Sequence, residues 1–380
     1  MIALGEWKTI TIEDCCEILD NKRVPVNSVE REARVGNIPY YGANGLQGYI
    51  DAYLFDEPLI LIAEDGGYFD EFATRPIAYR IFGKSWVNNH AHVLRAKAGY
   101  CQNAIFYALE HKDIQSFIVG GTRAKLNQSG LRTIMLSLPE SEEEQAQIAT
   151  ILSTLDRVIE QTEAIITKQQ RIKAGLMKDL LTKGVDEHGV IRSEATHQFK
   201  DSPLGRIPVE WEVEQLGRIA SLQRGYDIVE AQLIPGPAPV ISSSGVIGYH
   251  NLATSTGPNV VVGRKGSIGN VHYVTTDFWA HDTSLFVTNF YGNNVKYVFY
   301  LFTSLDLGRY GTKSGSPSLN RNDIHPLQIG IPKPIEQERI ADIFSTCDES
   351  LGKFSGELEK MKRLKTGLMH DLLTGTVRVN

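Results

Sequence analysis

Hydrophobic positions follow two different periods along the chain. Before Pro139, and again before Pro332, short β-branched and aromatic runs such as residues 59–62 and 260–262 are separated by Gly, Asn and Pro clusters. This arrangement is typical of strands joined by turns. After each of the two prolines the apolar residues recur with a helical period instead. The pattern predicts an α+β protein in which two mainly β regions are each followed by a long helix.

The second helical region carries a coiled-coil seam. Its apolar residues alternate steps of four and three over three heptads: Ile340, Phe344, Cys347, Leu351, Phe354, Leu358 and Met361. The first helical region is similar, but Thr162 and Gln169 stand where the second has Phe354 and Met361. Smaller side chains in one helix can therefore face bulky ones in the other, which favours an antiparallel coiled-coil pair within the chain, with pseudo-twofold symmetry. The alternative, that both are ordinary core-facing helices of their domains, stays open.

The chain is two copies of one unit. Residues 173–182 and 365–374 share the pattern GLMxDLLT, 192 positions apart, and residues 45–49 match 245–249 at a distance of 200. These repeats set the predicted organisation. It comprises a first β domain at 1–140, a central helix at 141–183, a linker at 184–199, a second β domain at 200–333, a C-terminal helix at 334–375 and a tail at 376–380.

Composition narrows the class of protein. The 380 residues are 42% hydrophobic and 22% charged, which is typical of a globular protein, and no run approaches the roughly 18 apolar residues of a membrane span. No secretory signal is expected at the amino terminus. The four cysteines form no CxxC pair, which favours free thiols in a reducing cytoplasm. A net charge of −6, taken alone, argues against a nucleic-acid binder.

The usual catalytic motifs are missing from the sequence. It contains no GxxxxGK[ST] phosphate loop, no GxSxG elbow, no HExxH zinc motif and no adjacent prolines of the kind that adenine methyltransferases use. His90 and His92, two positions apart on one predicted strand, could share a face and bind a metal, but no further ligand accompanies them. We favour a structural or hydrogen-bonding role there and predict neither a catalytic nor a metal site.

Polar loops on a strand scaffold instead suggest a protein whose side chains form hydrogen bonds with the edges of DNA bases. Arginine pairs with guanine and Asn or Gln with adenine, while lysines and backbone amides hold phosphates. The candidate DNA-binding residues are Asn89, His90, His92, Arg123, Lys125, Asn127, Gln128, Arg264, Lys265, Ser267, His281, Lys313, Ser314, Ser316, Ser318, Asn320 and Arg321. Where the second copy has Arg264 and Lys265, the first has Glu64 and Asp65. For any single residue, a solvated turn is an equally good interpretation.

Several segments resemble the specificity subunits of type I restriction-modification systems. The similar segments are residues 199–213, 262–269, 317–324 and 331–341, together with both GLMxDLLT helix ends. Each motif is weak alone, but in combination they are specific, and the resemblance covers almost the whole chain.

The resemblance implies a non-catalytic subunit with two target-recognition domains, each reading one half of a split, asymmetric DNA site. It implies that the helices set the gap between the halves and dock two DNA adenine methyltransferase subunits, beside restriction and translocase subunits. S-adenosylmethionine, ATP and Mg²⁺ would then belong to the partners, with no cofactor in this chain. Candidate partner-binding residues on the helices are Ile148, Asp156, Leu176, Glu336, Gln337, Ile340, Asp348 and Leu368. Two alternatives stay open: a self-contained nuclease or methyltransferase with a divergent site, and a repeat-built scaffold that binds protein or glycan.

Overall fold

A computed structural model describes residues 6–120, 124–311 and 317–379. The chain forms two compact units, and both boundaries between them fall inside long helices. Unit 1 comprises the residues up to 163 and those from 356 onwards, whereas unit 2 is the continuous segment 164–355. Unit 1 is therefore built from both ends of the described chain.

Unit 1 alternates short strands with short helices before its first long helix. The elements that begin in its first segment are β1 Trp7–Thr11, α1 Ile12–Cys15, β2 Cys16–Ile18, α2 Ser28–Ala33, β3 Ile38–Gly42, β4 Gly45–Ile50, β5 Phe55–Asp56, β6 Leu59–Ala63, β7 Ala78–Ile81, β8 Lys84–Val87, β9 Ala91–Ala96, α3 Gln102–Glu110, β10 Ile118–Val119, β11 Lys125–Leu126, α4 Gln128–Thr133, β12 Met135–Pro139 and α5 Glu142–Leu180.

Unit 2 repeats this order after a β-hairpin. Its elements are β13 Phe199–Ser202, β14 Gly205–Pro208, β15 Glu212–Gln215, α6 Leu216–Ile219, β16 Ser221–Arg224, β17 Ala238–Ser242, β18 Gly245–His250, β19 Asn259–Gly263, β20 Val271–Val274, β21 Trp279–Ala280, β22 Ser284–Asn289, α7 Val295–Ser304, α8 Arg321–Ile324, β23 Gln328–Ile331 and α9 Pro334–Leu373, which continues into unit 1.

The sheets of the two units have matching topology. In unit 1 the order β2-β9-β6-β7 gives an antiparallel sheet, which corresponds to β16-β22-β19-β20 in unit 2. A second sheet pairs β3 with β4 antiparallel and with β8 parallel, and β17 pairs in the same way with β18 and β21. The central strands β6 and β19 are buried along their whole length. Burial on both faces explains why these two strands read as unbroken apolar runs.

The first glycine of the repeated GxxGY segment lies at the turn of a β-hairpin in both units. Gly45, the first residue of β4, has φ 107°, and Gly245, the first residue of β18, has φ 106°. A side chain is strained in this region, so glycine is the residue that suits both turns. The repeated motif therefore records a repeated turn geometry.

Each domain core takes the first turns of one long helix and the last turns of the other. In unit 1, Ile148 and Leu152 of α5 are buried together with Leu372 of α9. In unit 2, Ile340 of α9 is buried together with Leu180 of α5. The ends of both long helices are therefore part of the domain cores. This agrees with the alternative that they are ordinary core-facing helices.

Contacts inside each unit also make the helices antiparallel partners. In unit 1 the Thr162 hydroxyl lies 3.9 Å from the Met361 sulfur, and Asp156 pairs with Lys365 at 2.8 Å. In unit 2, Lys173 donates to Asp348. Thr162 is buried against methionine, which fits the expectation of a small residue opposite a bulky one. The predicted α+β fold of two repeated, mainly β domains with two long antiparallel helices is confirmed. None of the helices within the described ranges is long and apolar enough to span a membrane.

Candidate nucleic-acid interface

In both units the same backbone hydrogen bond joins the candidate loop to the end of the central strand. We call this arrangement the backbone frame. In unit 1 the buried Leu126 donates its N–H to the carbonyl oxygen of Glu64 at 2.8 Å. In unit 2 the buried Leu319 donates in the same way to the carbonyl oxygen of Arg264, also at 2.8 Å. Each leucine ties its polar loop to the residue that follows a central strand. The loop side chains in the two units are therefore presented from equivalent positions.

In unit 2 this frame carries an arginine-lined cleft of about 350 Å³. Its basic side chains are Arg224 at the end of β16, Arg264 after β19 and Arg321 at the start of α8. The other lining residues are Gln223, Leu285, Ser318, Leu319 and Asn320. The cleft combines positive charge with amide and hydroxyl groups, which is the chemistry that binds phosphates and base edges.

The guanidinium groups of this cleft are held by few acceptors. Arg224 pairs with the Asp282 carboxylate at 2.9 Å, and Arg264 donates to the Asp282 carbonyl at 3.4 Å. Arg321 donates to the Leu222 carbonyl at 3.1 Å. Within the described ranges, Asp282 supplies the one carboxylate that pairs with these three side chains. Since arginine stays protonated, the cleft carries an excess of positive charge.

Two of the three equivalent positions of unit 1 carry acids. Asp20, two residues beyond β2, takes the place of Arg224, because β2 and β16 occupy the same position beside β9 and β22. Glu64 takes the place of Arg264, and Gln128 that of Arg321. Gln128 donates to the Asp20 carboxylate at 3.0 Å. The same backbone positions therefore carry basic side chains in unit 2 and acidic or amide side chains in unit 1.

A closed ion-pair network neutralises the acids of unit 1. Asp20 lies 2.6 Å from Nδ1 of His92, and Glu64 pairs with Arg23 at 2.7 Å and with Lys125 at 3.1 Å. Burial acts to raise the pKa of Asp20, but hydrogen bonds from His92 and from the Val93 amide outweigh it and hold that pKa below its ordinary value. Burial also acts to raise the pKa of Glu64, yet the hydrogen bonds from Arg23 and Lys125 lower it. Both carboxyl groups are thereby kept ionised.

His92 is a scaffold residue rather than an accessible contact. Its side chain is 1% exposed, and Nε2 lies 2.8 Å from the Leu126 carbonyl while Nδ1 faces Asp20. His90 precedes β9 and pairs with Asp65 at 2.8 Å. The expectation that the two histidines share one face of a strand is therefore wrong, because the strand begins at Ala91. Burial excludes His92 from the residues that we carry forward as DNA contacts.

The other predicted contacts of unit 1 lie around this network. Asn89 is exposed, and its carbonyl accepts from Arg23 at 3.3 Å. Lys125 and Gln128 are members of the network, and Asn127 stands before α4. Arg123 lies outside the described residues.

The other predicted contacts of unit 2 lie at the same strand ends. Lys265 donates its N–H to the Thr283 carbonyl at 3.1 Å, and His281 Nδ1 lies 2.8 Å from the Thr283 hydroxyl. Asn320 caps α8 by accepting from the Asn322 N–H at 3.0 Å, and Ser267 is half-buried after β19. Ser318 lines the arginine cleft. Lys313, Ser314 and Ser316 lie outside the described residues.

Sequence reasoning missed Arg224, Arg23 and Asp20. Arg224 closes β16 and is followed by a buried glycine, so the end of this strand was a usable signal. The sequence comparison found repeats 192 and 200 positions apart, but Asp20 and Arg224 are 204 positions apart because the intervening loops differ in length.

Most of the candidate partner-binding residues are used within their own unit. Asp156 accepts from the Tyr107 hydroxyl at 2.6 Å and from Arg80 at 3.1 Å, and Asp348 accepts from the Tyr300 hydroxyl at 2.8 Å. The remaining members are engaged or buried as follows: Glu336 with Arg192, Gln337 with Asn293 and Asn294, Ile148 and Ile340 in the cores, and Leu176 and Leu368 partly buried against those cores. Polar residues at the helix starts therefore hold each helix to its domain.

An arginine that follows one long helix binds the start of the other in each unit. Arg192, which follows α5, makes two hydrogen bonds to Glu336 at 2.5 and 3.1 Å, while Arg378, which follows α9, makes two to Glu144 at 2.6 Å. These bidentate pairs are equivalent in the repeat. They were not visible in the sequence as a motif, because the partners lie 144 and 234 residues apart.

The geometry defines a repeated α+β fold, and comparison with known proteins identifies its family. The model of the family "Type I restriction modification DNA specificity domain" matches residues 5–171 and 208–362. The chain therefore belongs to the type I restriction-modification DNA specificity family. This confirms the family that the sequence resembled and the prediction of a non-catalytic specificity subunit.

Named relatives and one solved structure agree with this assignment. A putative type I restriction enzyme specificity subunit of Haemophilus influenzae, S.HindORF215P, is 35% identical over 150 residues, which cover 40% of this chain and 37% of that protein. The MjaVIII specificity subunit of Methanocaldococcus jannaschii is 24% identical over 418 residues, covering 98% of this chain and 93% of its own. The S subunit structure from M. genitalium superposes with a TM-score of 0.70 at 16% identity, over 98% of this chain and 97% of that one, and supports the fold.

Proposed function

We propose that this chain reads a bipartite, asymmetric DNA site, with each unit contacting one half. The observation that carries the proposal is that the two units share one backbone frame but differ in the side chains at its equivalent positions. Unit 2 presents Arg224, Arg264 and Arg321 where unit 1 presents Asp20, Glu64 and Gln128. Two readers with one backbone geometry and different chemistry suit two different half-sites.

The arginine cleft of unit 2 suits guanine or phosphate. A guanidinium group can donate two hydrogen bonds to O6 and N7 of guanine, or two to a phosphate. Arg321 begins α8 and Arg264 follows β19, and the buried Leu319 joins these two segments through its hydrogen bond to the Arg264 carbonyl. Because their backbone is already fixed, binding costs less entropy for ordering the loop.

Unit 1 suits mixed hydrogen-bond contacts. Its ion-pair network leaves Asn89 and Asn127 at the surface of the same frame, beside Lys125. Amide side chains pair with adenine, and a lysine can hold a phosphate. The acids themselves are neutralised internally, so they do not oppose the approach of the DNA backbone.

We propose further that the long helices set the gap between half-sites and that the chain binds two DNA adenine methyltransferase subunits, with restriction and translocase subunits. S-adenosylmethionine, ATP and Mg²⁺ are then cofactors of those partners. The net charge of −6 supports this division of labour, since phosphate attraction dominates affinity and this chain offers it only locally. Such a task is carried out in the cytoplasm, where the DNA is.

The experiment tests whether substitutions in unit 2 change only one half of the recognised DNA site. The variant with Arg264→Gln and Arg321→Gln is expressed with its partners in a host that lacks the chain, and methylated adenines are mapped across the genome. Loss of a bidentate base contact costs about 1–3 kcal/mol, so the half-site read by unit 2 should become relaxed or altered while the other half is kept. Arg218→Gln, an exposed arginine of the same unit, is the matched control and should leave both halves unchanged. Alteration of both halves, or of neither, contradicts the proposal.

A further inference from the structure

The β3–β4 hairpin of unit 1 and the β17–β18 hairpin of unit 2 expose apolar side chains at the same repeated positions. Leu46 is 52% exposed in unit 1, and Val246 and Ile247 are 55% and 51% exposed in unit 2. No Asp, Glu, Lys or Arg occurs in residues 38–50 or 238–250. Native proteins usually place charged side chains on exposed edge strands. The repeated, uncharged surface indicates that both hairpins are covered when the protein acts.

Another protein strand is poorly suited to cover these hairpins. β4 and β18 are the edge strands of their sheets. Each contains one extra residue relative to its partner strand, Gln47 in β4 and Ile247 in β18, followed by Gly48 and Gly248. A bulge with a glycine disrupts the hydrogen-bond ladder, bends the strand and re-aims its side chains. The surface therefore suits a partner that contacts side chains and adds no strand.

In unit 1 the hairpin turn is joined to the loop that follows the central strand. The Asn44 side chain donates to the Gly66 carbonyl at 2.9 Å, and the Gly66 N–H donates to the Ala124 carbonyl at 3.3 Å. Leu46 and Gly67 line one groove of about 340 Å³. The exposed side chain of Leu46 is therefore next to the backbone frame of unit 1.

In unit 2 the hairpin turn is joined to the equivalent loop. The Ser243 N–H donates to the Thr283 hydroxyl at 3.4 Å, and the Thr283 carbonyl accepts from the N–H groups of Arg264 at 2.8 Å and Lys265 at 3.1 Å. Nε2 of His272 lies 3.0 Å from the Ser243 carbonyl and holds the turn from the other side. The apolar residues of this hairpin are therefore presented next to the loop that carries Arg264.

We propose that these hairpin side chains contact the C5-methyl groups of thymines, Leu46 in the half-site of unit 1 and Val246 with Ile247 in that of unit 2. The inference rests on the proposed function and adds a specificity determinant to it. In the major groove the apolar group that base edges present is the thymine methyl. Aliphatic side chains beside hydrogen-bonding loops can cover this methyl group while the loops contact the polar edges of neighbouring bases.

The experiment removes the methyl group from the DNA. Uracil differs from thymine only by the absence of this group. The full-length chain with its methyltransferase partners is bound to duplexes that carry the site mapped from the genome, and each thymidine in turn is replaced by 2′-deoxyuridine. Leaving one methyl group uncovered should weaken binding about fourfold at one or more thymines in each half-site.

Hairpin variants assign the effect to the proposed side chains. Val246→Thr with Ile247→Thr keeps β-branched side chains and replaces methyl groups with hydroxyls. This double variant should bind thymine and uracil duplexes equally in the half-site of unit 2 and keep the preference for thymine in the half-site of unit 1. Leu46→Thr should do the reverse. Val190→Thr, at an exposed valine in the connection between α5 and β13, is the matched control and should keep both preferences.

The wild-type complex and the hairpin variants can each overturn the inference. It fails when the wild-type complex binds every uracil duplex as tightly as the thymine duplex, which is the result expected if an apolar wedge in the minor groove or a protein segment covers the hairpins. It also fails when a mapped half-site contains no thymine, or when the hairpin variants keep the preference for thymine. Val246→Ala with Ile247→Ala repeats the test if the threonine variant has a lower melting temperature. A wild-type complex with no sequence preference contradicts the proposed function instead, so the two failures are distinguishable.

Discussion

Removal of the Arg192 side chain should strongly destabilise unit 2. Arg192 and Glu336 are each 8% exposed and share two hydrogen bonds at 2.5 and 3.1 Å. Glu336 also accepts from the Val185 N–H at 3.0 Å and from Trp211 Nε1 at 3.2 Å. The substitution Arg192→Met keeps much of the side-chain volume and leaves the carboxylate buried without its cation.

The expected cost follows from this burial. Removing one partner of a buried ion pair costs about 3–5 kcal/mol, because the remaining charge stays desolvated. Glu336→Gln in the Arg192→Met background keeps an oxygen acceptor for Val185 and Trp211 and removes the uncompensated charge. The double variant should therefore be less destabilised than Arg192→Met alone. Arg218→Met, which removes an exposed pair with Glu214, should cost no more than about 1 kcal/mol.

Hydrogen exchange measured by mass spectrometry resolves the effect by unit. Peptides from β15 and β23, which pair in unit 2 next to this site, should lose protection in Arg192→Met. Peptides from β1 and β12 in unit 1 serve as the internal control and should keep theirs. The reasoning is refuted when Arg192→Met costs less than about 1 kcal/mol, which is the range of a surface pair.

Three further outcomes follow from the described geometry. Because hydrogen bonds hold the pKa of Asp20 below its unfolded value of about 3.9, its stabilising contribution is present above that pH and is lost as pH falls through the folded value. The stability difference between the wild type and Asp20→Asn in urea unfolding should thus shrink from pH 5 to pH 3, and a constant difference contradicts this. Gly45→Ala and Gly245→Ala, both at φ near 107°, should each destabilise their hairpins by roughly 1–2 kcal/mol in thermal unfolding, and unchanged stability counts against turn strain. The isolated chain should bind DNA weakly and with little specificity because its net charge is −6, so nanomolar affinity without partners would refute the division of labour.

Hydrophobic periodicity was sufficient to predict the strands and the long helices, and matching segments were sufficient to predict the repeat. The apolar runs at 59–62 and 260–262 lie in central strands because burial on both faces demands continuous apolar sequence. The helical seam was visible because the antiparallel partner imposes a regular spacing, as the Thr162 and Met361 contact illustrates.

The candidate sites were harder to predict because long-range ion pairs leave no local pattern. Glu336 was predicted to bind a partner subunit, yet Arg192, 144 residues away, neutralises it inside the core. His92 was predicted to contact DNA, but it is buried against Asp20, which follows β2 and lies 72 residues away in the sequence. In both cases burial of a polar group depends on a partner that only the fold brings near.

The discontinuous build of unit 1 has a consequence for synthesis on the ribosome. Its core includes Leu372, and its helix pair is closed by Arg378, so the amino-terminal part of unit 1 is translated before unit 2 but is completed only after it. Unit 2, residues 164–355, is continuous and has all of its own residues before the last segment of unit 1 is made. A premature stop after residue 355 would therefore damage unit 1 first, although the lesion lies beyond unit 2 in the sequence.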